Sequence, residues 1–313
     1  MASIYYIAPM DNLSTAFKSL LGVSNHFSSE AAALRYFESI RWPEGPVSPY
    51  DSESKVYKCK GYKYKCSTTG KYFNVKKGTM FENSKIPLRK WLIGIWIMAS
   101  HKKGCSSVQL ATDLGITQKT AWFMAHRIRR CLTQSSYLLN GTVEVDETYI
   151  GGLNENRHQS KKKDNTQGRS LDKSVVLGMA QRCGIVRARH IENVRKNILD
   201  AQIKENIDTH ATIYTDELGA YKNMPHHKKH ESIKHKSHEY VRGNVHTNNI
   251  ENFWSVMKRG IYGIYHYTSK KHLQKYIDEF AFRYNMRSLD ISLKMEIIFS
   301  ISDTRTKYNE LTA

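Results

Sequence analysis

The sequence predicts an α/β layer domain in its second half, preceded by a small β-unit and a helix-turn-helix. Three observations carry this reading. Beyond residue 140, strand-like runs alternate with a helical one, and two of those runs contain or end on an aspartate, TVEVDETYI and HATIYT followed by Asp216. Residues 55–82 are short stretches in which lysines alternate with aromatics, KVYKCKGYKYKC and KYFNVKKGTMF around a Thr-Thr-Gly-Lys turn. Between these regions a short helical stretch, a glycine turn and a basic helical stretch follow one another, SSVQLATDL, Gly115-Ile-Thr and QKTAWFMAHRIRR.

In chain order, residues 1–45 read as helical, because Phe17, Leu20 and Leu21 and then Ala31–Tyr36 return at helix-like intervals. Trp42-Pro-Glu-Gly-Pro-Val-Ser-Pro breaks that pattern and opens a β-unit over 46–84. Residues 85–136 form the helix-turn-helix region, starting with a buried helix from Leu88 to His101. Thr117 is the expected N-cap of the third helix. An αα-hairpin in a core is the bland alternative, which the Arg127, Arg129 and Arg130 cluster argues against. The second-half domain spans 140–295: strands at Thr142–Ile150, Ser174–Ala180 and Ile185–Glu192, a helix at Lys196–Asn206, and a strand at His210–Thr215. Ile250, Phe253, Trp254 and Met257 then give an apolar helical stripe, and Lys271 to Met286 gives a second amphipathic helix. Residues 296–313 read as a tail, frayed from about Asp303.

The chain has 313 residues, 40% of them hydrophobic, so it can bury a core. Its formal net charge of +19 asks for a polyanionic partner, and nucleic acid is the first choice over an anionic membrane surface or a ribosomal RNA site. Five cysteines at irregular spacing suggest no disulfide framework and a reducing cytoplasm. No signal peptide is expected, and the most apolar run, WLIGIWIMA, is too short to span a bilayer.

Asp146 and Asp216 follow apolar strand residues, where a lone acid would be costly to desolvate. Glu251 lies on a helix. Three hard oxygen donors suit Mg²⁺ or Mn²⁺, and a two-metal site activates the attacking oxygen and stabilises the leaving oxygen at phosphorus. Six histidines between His226 and His246 read as a basic, DNA-facing surface rather than a metal cluster. Trp91, Trp96, Trp122 and Trp254 sit in apolar stripes and read as core.

VEVDETYIGG, IYTDELGAYK and HTNNIENFWSVMKRGIYGIYHYTSKKHLQKYIDEFAFRYNMR closely resemble the DDE transposases of bacterial insertion sequences, in the group allied to the eukaryotic Merlin elements. The resemblance runs from about Lys55 to Arg287 and includes GTMFENSKIPLRKW and the helix-turn-helix. It implies an RNase H-like catalytic domain, a mixed sheet flanked by helices, with Asp146, Asp216 and Glu251 as catalytic and metal-binding triad. Thirty-four residues separate the last two, a spacing common in such enzymes. Some relatives use asparagine as third ligand, which makes Asn248 a minor competitor. Lys258, two helical turns after Glu251, matches a lysine that accompanies the glutamate in many relatives.

The implied reaction is hydrolysis of a phosphodiester at the element's terminal repeats, then attack of the freed 3′-OH on target DNA. Lys119, Arg127, Arg130, Lys258 and Arg259 are the expected double-stranded DNA contacts, joined by Lys161, Lys162 and Lys163 of the lysine-rich loop. A homodimer or larger assembly at the nucleoid is expected. Relatives carry a zinc ribbon with two Cys-x-x-Cys knuckles. Here the knuckles fall at Ser48-Pro-Tyr-Asp51 and Cys66-Ser-Thr-Thr69, so no structural zinc is expected. That loss keeps an inactive copy in view. The rival readings are an RNase H-like nuclease that cuts without joining and a sequence-specific DNA-binding regulator.

Overall fold

The computed structural model describes residues 16–133, 137–152, 158–161, 173–221, 229–233 and 242–312. The chain forms two compact units, Met1–Leu132 together with Ser288–Ala313, and Thr133–Arg287.

The first unit starts with α1 (Leu20–His26) and α2 (Glu30–Arg41), each entered through a serine, Ser19 and Ser29, whose side chain accepts a free first-turn amide. A three-stranded antiparallel sheet follows, β1 (Val56–Cys59), β2 (Lys63–Cys66) and β3 (Tyr72–Phe73), in that order. The second lysine-rich stretch thus contributes only two residues of strand before it turns. Tyr64, Cys66 and Phe73 face inward against Trp42, Tyr50 and Val56. The opposite face carries Tyr57, Lys65 and Tyr72 as cross-strand neighbours, with Lys65 Nζ over the Tyr72 ring at 5.8 Å.

At the knuckle positions, Ser48 and Cys66 are buried. Cys66 Sγ lies 3.3 Å from Ser54 Oγ, which also receives Thr68 N at 3.1 Å. Hydroxyls of Ser48, Ser54 and Thr69 around the sulfur bring its thiol down to about 6.

Helices α3 (Leu88–Ser100), α4 (Ser107–Leu114) and α5 (Gln118–Cys131) follow. Pro87 cannot cap α3 with a side chain, so Glu30 of α2 accepts from Leu88 N and Arg89 N at 2.8 and 3.0 Å. Gly115 ends α4 in the left-handed region, φ 56°, and Thr117 accepts Thr120 N to start α5. Gly94 lets α3 approach its neighbours: a Cβ there would stand 2.9 Å from Met124 Sδ.

The carboxy-terminal segment carries two further helices of the first unit. Helix α9 (Ile291–Ser300) packs with α2 and α3, and α10 (Tyr308–Thr312) with α5. Phe299 and Leu311 are buried, Met80 N donates to Ser302 O at 2.9 Å, and Arg41 pairs with Asp303 at 3.1 Å.

The second unit holds β4 (Thr142–Ile150), β5 (Ser174–Gln181), β6 (Val186–Ile191), α6 (Lys196–Asn206), β7 (Thr212–Thr215), β8 (Lys229–Ser232), α7 (Asn248–Gly260) and α8 (Lys270–Asn285). The sheet order is β6-β5-β4-β7-β8, antiparallel through β6, β5 and β4 and parallel through β4, β7 and β8. Alternation along β4 splits the core. Val143 and Val145 face α6 with Leu199 and Ile203, while Ile150 faces α7 and α8 with Phe253, Trp254 and Phe280. This mixed sheet flanked by helices is compatible with an RNase H-like domain. Among the described residues, no helix is long and apolar enough to cross a membrane.

Candidate active site

Strands β4 and β7 run parallel with Val143 opposite Ile213 and Glu144 opposite Tyr214. Continuing that register by two residues brings Asp146 level with Asp216, just past the end of β7. Two carboxylates at adjacent strand positions therefore follow from parallel pairing alone. Side-chain oxygens of Asp146, Glu147 and Asp216 all lie within 4.8 Å of one another. Among the described residues, this is the group with metal-ligand geometry, and no histidine belongs to it.

Asp146 is pushed up to about 7 by burial, then by the charges of Glu147 and Asp216, against a hydrogen bond from Trp254. Trp254 Nε1 donates to Asp146 Oδ2 at 2.9 Å. Gly178 of β5 is the register partner of Asp146, and a Cβ there would stand 2.4 Å from the Trp254 ring. The missing side chain is what lets the indole lie against the sheet. Glu147, on the opposite face of β4, accepts from Tyr221 Oη at 3.0 Å. Asp216 Oδ1 accepts from Leu218 N at 3.0 Å, which fixes its rotamer.

Glu251 is exposed in the first turn of α7, where Thr247 Oγ1 donates to its Oε1 at 3.0 Å. It lies outside the tight carboxylate group. Its helix is nonetheless turned toward Asp146. Glu251, Trp254 and Lys258 are spaced three and then four apart, hence on one helical face. Trp254 bonds Asp146, and Lys258 is half-buried: burial lowers its pKa and the Asp146 charge opposes that. Asn248 is exposed one turn earlier.

The expected DNA contacts differ in what they do. Lys119 is exposed near the start of α5. Arg127 donates to the carbonyls of Met80 and Glu82 at 3.2 and 3.4 Å, and Arg130 pairs with Glu310 at 2.7 Å. Arg259 is exposed, its Nε on Ser255 O at 3.1 Å. Lys161 ends a short 3-10 turn, Gln159–Lys161. Lys162 and Lys163 lie outside the described residues.

Sequence reasoning missed Glu147, Trp254 and Gly178. Strand alternation assigns Glu147 to the far face, and Trp254 is indistinguishable from core on its stripe. Three crowded carboxylates, one of them raised by burial and by the other two, form a donor set that fits a hard divalent cation, whose charge would relieve their mutual repulsion.

Residues 138–285 match the ISXO2-like transposase domain family. The chain is also similar to an uncharacterized protein in the transposable element ISH50 of Halobacterium salinarum, 28% identical over 274 residues, covering 82% of this chain and 91% of that protein.

Proposed function

We propose that this chain, whose residues 138–285 match the ISXO2-like transposase domain family, is the transposase of an insertion sequence that cuts and joins DNA at Asp146, Asp216 and Glu251. One observation supports the reading above the others: within the matched residues, the carboxylates of Asp146 and Asp216 converge at adjacent parallel strands beneath the helix that carries Glu251.

Mg²⁺ or Mn²⁺, when bound by these acids, activates the attacking oxygen and stabilises the leaving oxygen of an in-line displacement at phosphorus. The remaining work falls to the chain. Partial burial of Asp146 removes part of its solvent screening, so its charge acts more strongly on whatever it faces than it would at the surface. Lys258 brings positive charge to the same helix face, suited to a phosphate beside the acids. Trp254 holds Asp146 in one orientation. The domain is RNase H-like in this reading. Helices α4 and α5 act as the helix-turn-helix on the terminal repeats with Lys119 toward DNA, while Lys161, Lys162, Lys163 and Arg259 meet the phosphate backbone. Two ends cut in concert require a dimer or larger assembly.

The test is strand transfer. Duplexes from the DNA flanking the gene are incubated with protein and supercoiled plasmid, in Mg²⁺, in EDTA, and with Asp216→Asn. Joined product for wild type with metal only is the expected result. Nicking without joining would mean a nuclease, and DNA binding without chemistry would mean a regulator or an inactive copy.

A further inference from the structure

The residues two positions upstream of Asp146, Asp216 and Glu251 meet at one ion pair, between a buried Glu144 and a partly exposed Arg182. Glu144 precedes Asp146 on β4, Tyr214 precedes Asp216 on β7, and Asn249 precedes Glu251 on α7. The Glu144 side chain has 0% exposure. Its Oε2 accepts from Asn249 N and Ile250 N at 2.8 and 3.2 Å, and its Oε1 from Asn249 Nδ2 and Arg182 Nε at 2.8 and 2.9 Å. Thr247 provides no side-chain cap for α7, so Glu144 takes first-turn amides that a cap would otherwise satisfy.

Arg182, just after β5, completes the junction. Its Nη1 donates to Asn244 O at 2.7 Å and its Nη2 to His246 O at 3.0 Å, which holds the segment leading into α7. The guanidinium lies over the Tyr214 ring, 4.8 Å from its centroid. Its own backbone N donates to Thr142 O at 2.9 Å, at the start of β4. One carboxylate and one guanidinium thus touch all three elements that carry the acids, at the same offset from each.

We propose that Glu144 and Arg182 are positioning residues that set α7, and with it Glu251, in register with Asp146 and Asp216, and so set the cation affinity of the site. The inference rests on the proposed divalent-cation reading of those acids. A fully buried carboxylate that takes two first-turn amides of α7 has a geometric role that charge alone would not need, because a displaced helix would strand it.

Mn²⁺ binding to the full chain without DNA, read by electron paramagnetic resonance of the free ion, tests this for wild type, Glu144→Gln, Arg182→Lys and Asp216→Asn. Circular dichroism checks folding, and DNA binding in EDTA checks the rest of the protein. Glu144→Gln and Arg182→Lys are expected to fold, to bind DNA in EDTA as wild type does, and to bind Mn²⁺ about 10–100-fold more weakly, the range for groups that orient metal ligands. Unchanged Mn²⁺ affinity in the folded variants would overturn the proposal, even if their melting temperatures fell. Should Glu144→Gln not fold, Arg182→Lys decides, since it keeps the charge on a partly exposed residue and removes only the fork. If Asp216→Asn also binds Mn²⁺ like wild type, the cation reading itself has failed; if Asp216→Asn alone loses Mn²⁺, only the positioning role has.

Discussion

The indole Nε1 of Trp254 donates to Asp146 Oδ2 at 2.9 Å, across a ring that rests where Gly178 has no side chain. This bond favours the ionised carboxylate, against burial and two acidic neighbours. Trp254→Phe keeps a ring on Gly178 and removes the N–H. Asp146 should then hold its proton to higher pH, and the pH midpoint of Mn²⁺ binding should move up. A midpoint unchanged from wild type would show that the bond does not tune the acid.

Gly178→Ala should damage the same contact from the other side. The added Cβ would meet the Trp254 ring at 2.4 Å and Ile250 Cδ1 at 2.6 Å, and both belong to one packed helix face. Overpacking of this kind costs about 1–3 kcal/mol. Urea unfolding should report that loss, together with weaker Mn²⁺ binding.

Metal-free stability should carry a pH signature of Asp146. Its folded value, about 7, stands above the ordinary 3.8, so the folded state keeps a proton that the unfolded chain has released. Stability therefore falls as pH rises between those two values and levels off above. Asp146→Asn should flatten that slope in EDTA, gaining on wild type toward neutral pH. Parallel pH profiles for the two proteins would rule this out.

Cys66 should give the opposite slope. Its thiol is brought from the ordinary 9.0 to about 6 by neighbouring hydroxyls. The stabilisation is fully present above the unfolded value and is lost as pH falls through the folded one. The ultraviolet thiolate absorbance of wild type minus Cys66→Ser should titrate near that lower value. A difference signal appearing only at alkaline pH would contradict it.

The basic residues of α5 should separate by role. Lys119→Ala should weaken DNA binding and lower its salt slope by about 1, with stability unchanged. Arg127→Ala, which loses two carbonyl partners, should instead destabilise the fold. Equal effects of both on the salt slope would make Arg127 a DNA contact like Lys119.

Much of the second unit was legible because its central strands are apolar and buried almost along their whole length. Thr142–Ile150 and Lys196–Asn206 are found as read, and the runs ending at Asp146 and Asp216 become neighbours through parallel pairing. Strand β8 was not legible: Lys229–Ser232 lies at the sheet edge and has no apolar alternation. Trp254 reads as core because a helical stripe says which residues are buried, not which atom of a buried ring finds a carboxylate. The partners of Arg127 and Arg130, the carbonyls of Met80 and Glu82 and the Glu310 carboxylate, were not legible because they are distant in sequence.

Helix α9 follows the second unit in the chain and packs with α2 and α3, which precede it. Order of synthesis and order of completion are therefore reversed. Residues 133–287 can close their core as soon as they leave the ribosome, while the amino-terminal unit waits for segments made last. The nascent protein would own a finished second unit before it has a finished first one. A chain cut short before Ile291 would keep its acids and lose the packing partners of Tyr36 and Phe37, which meet Phe299.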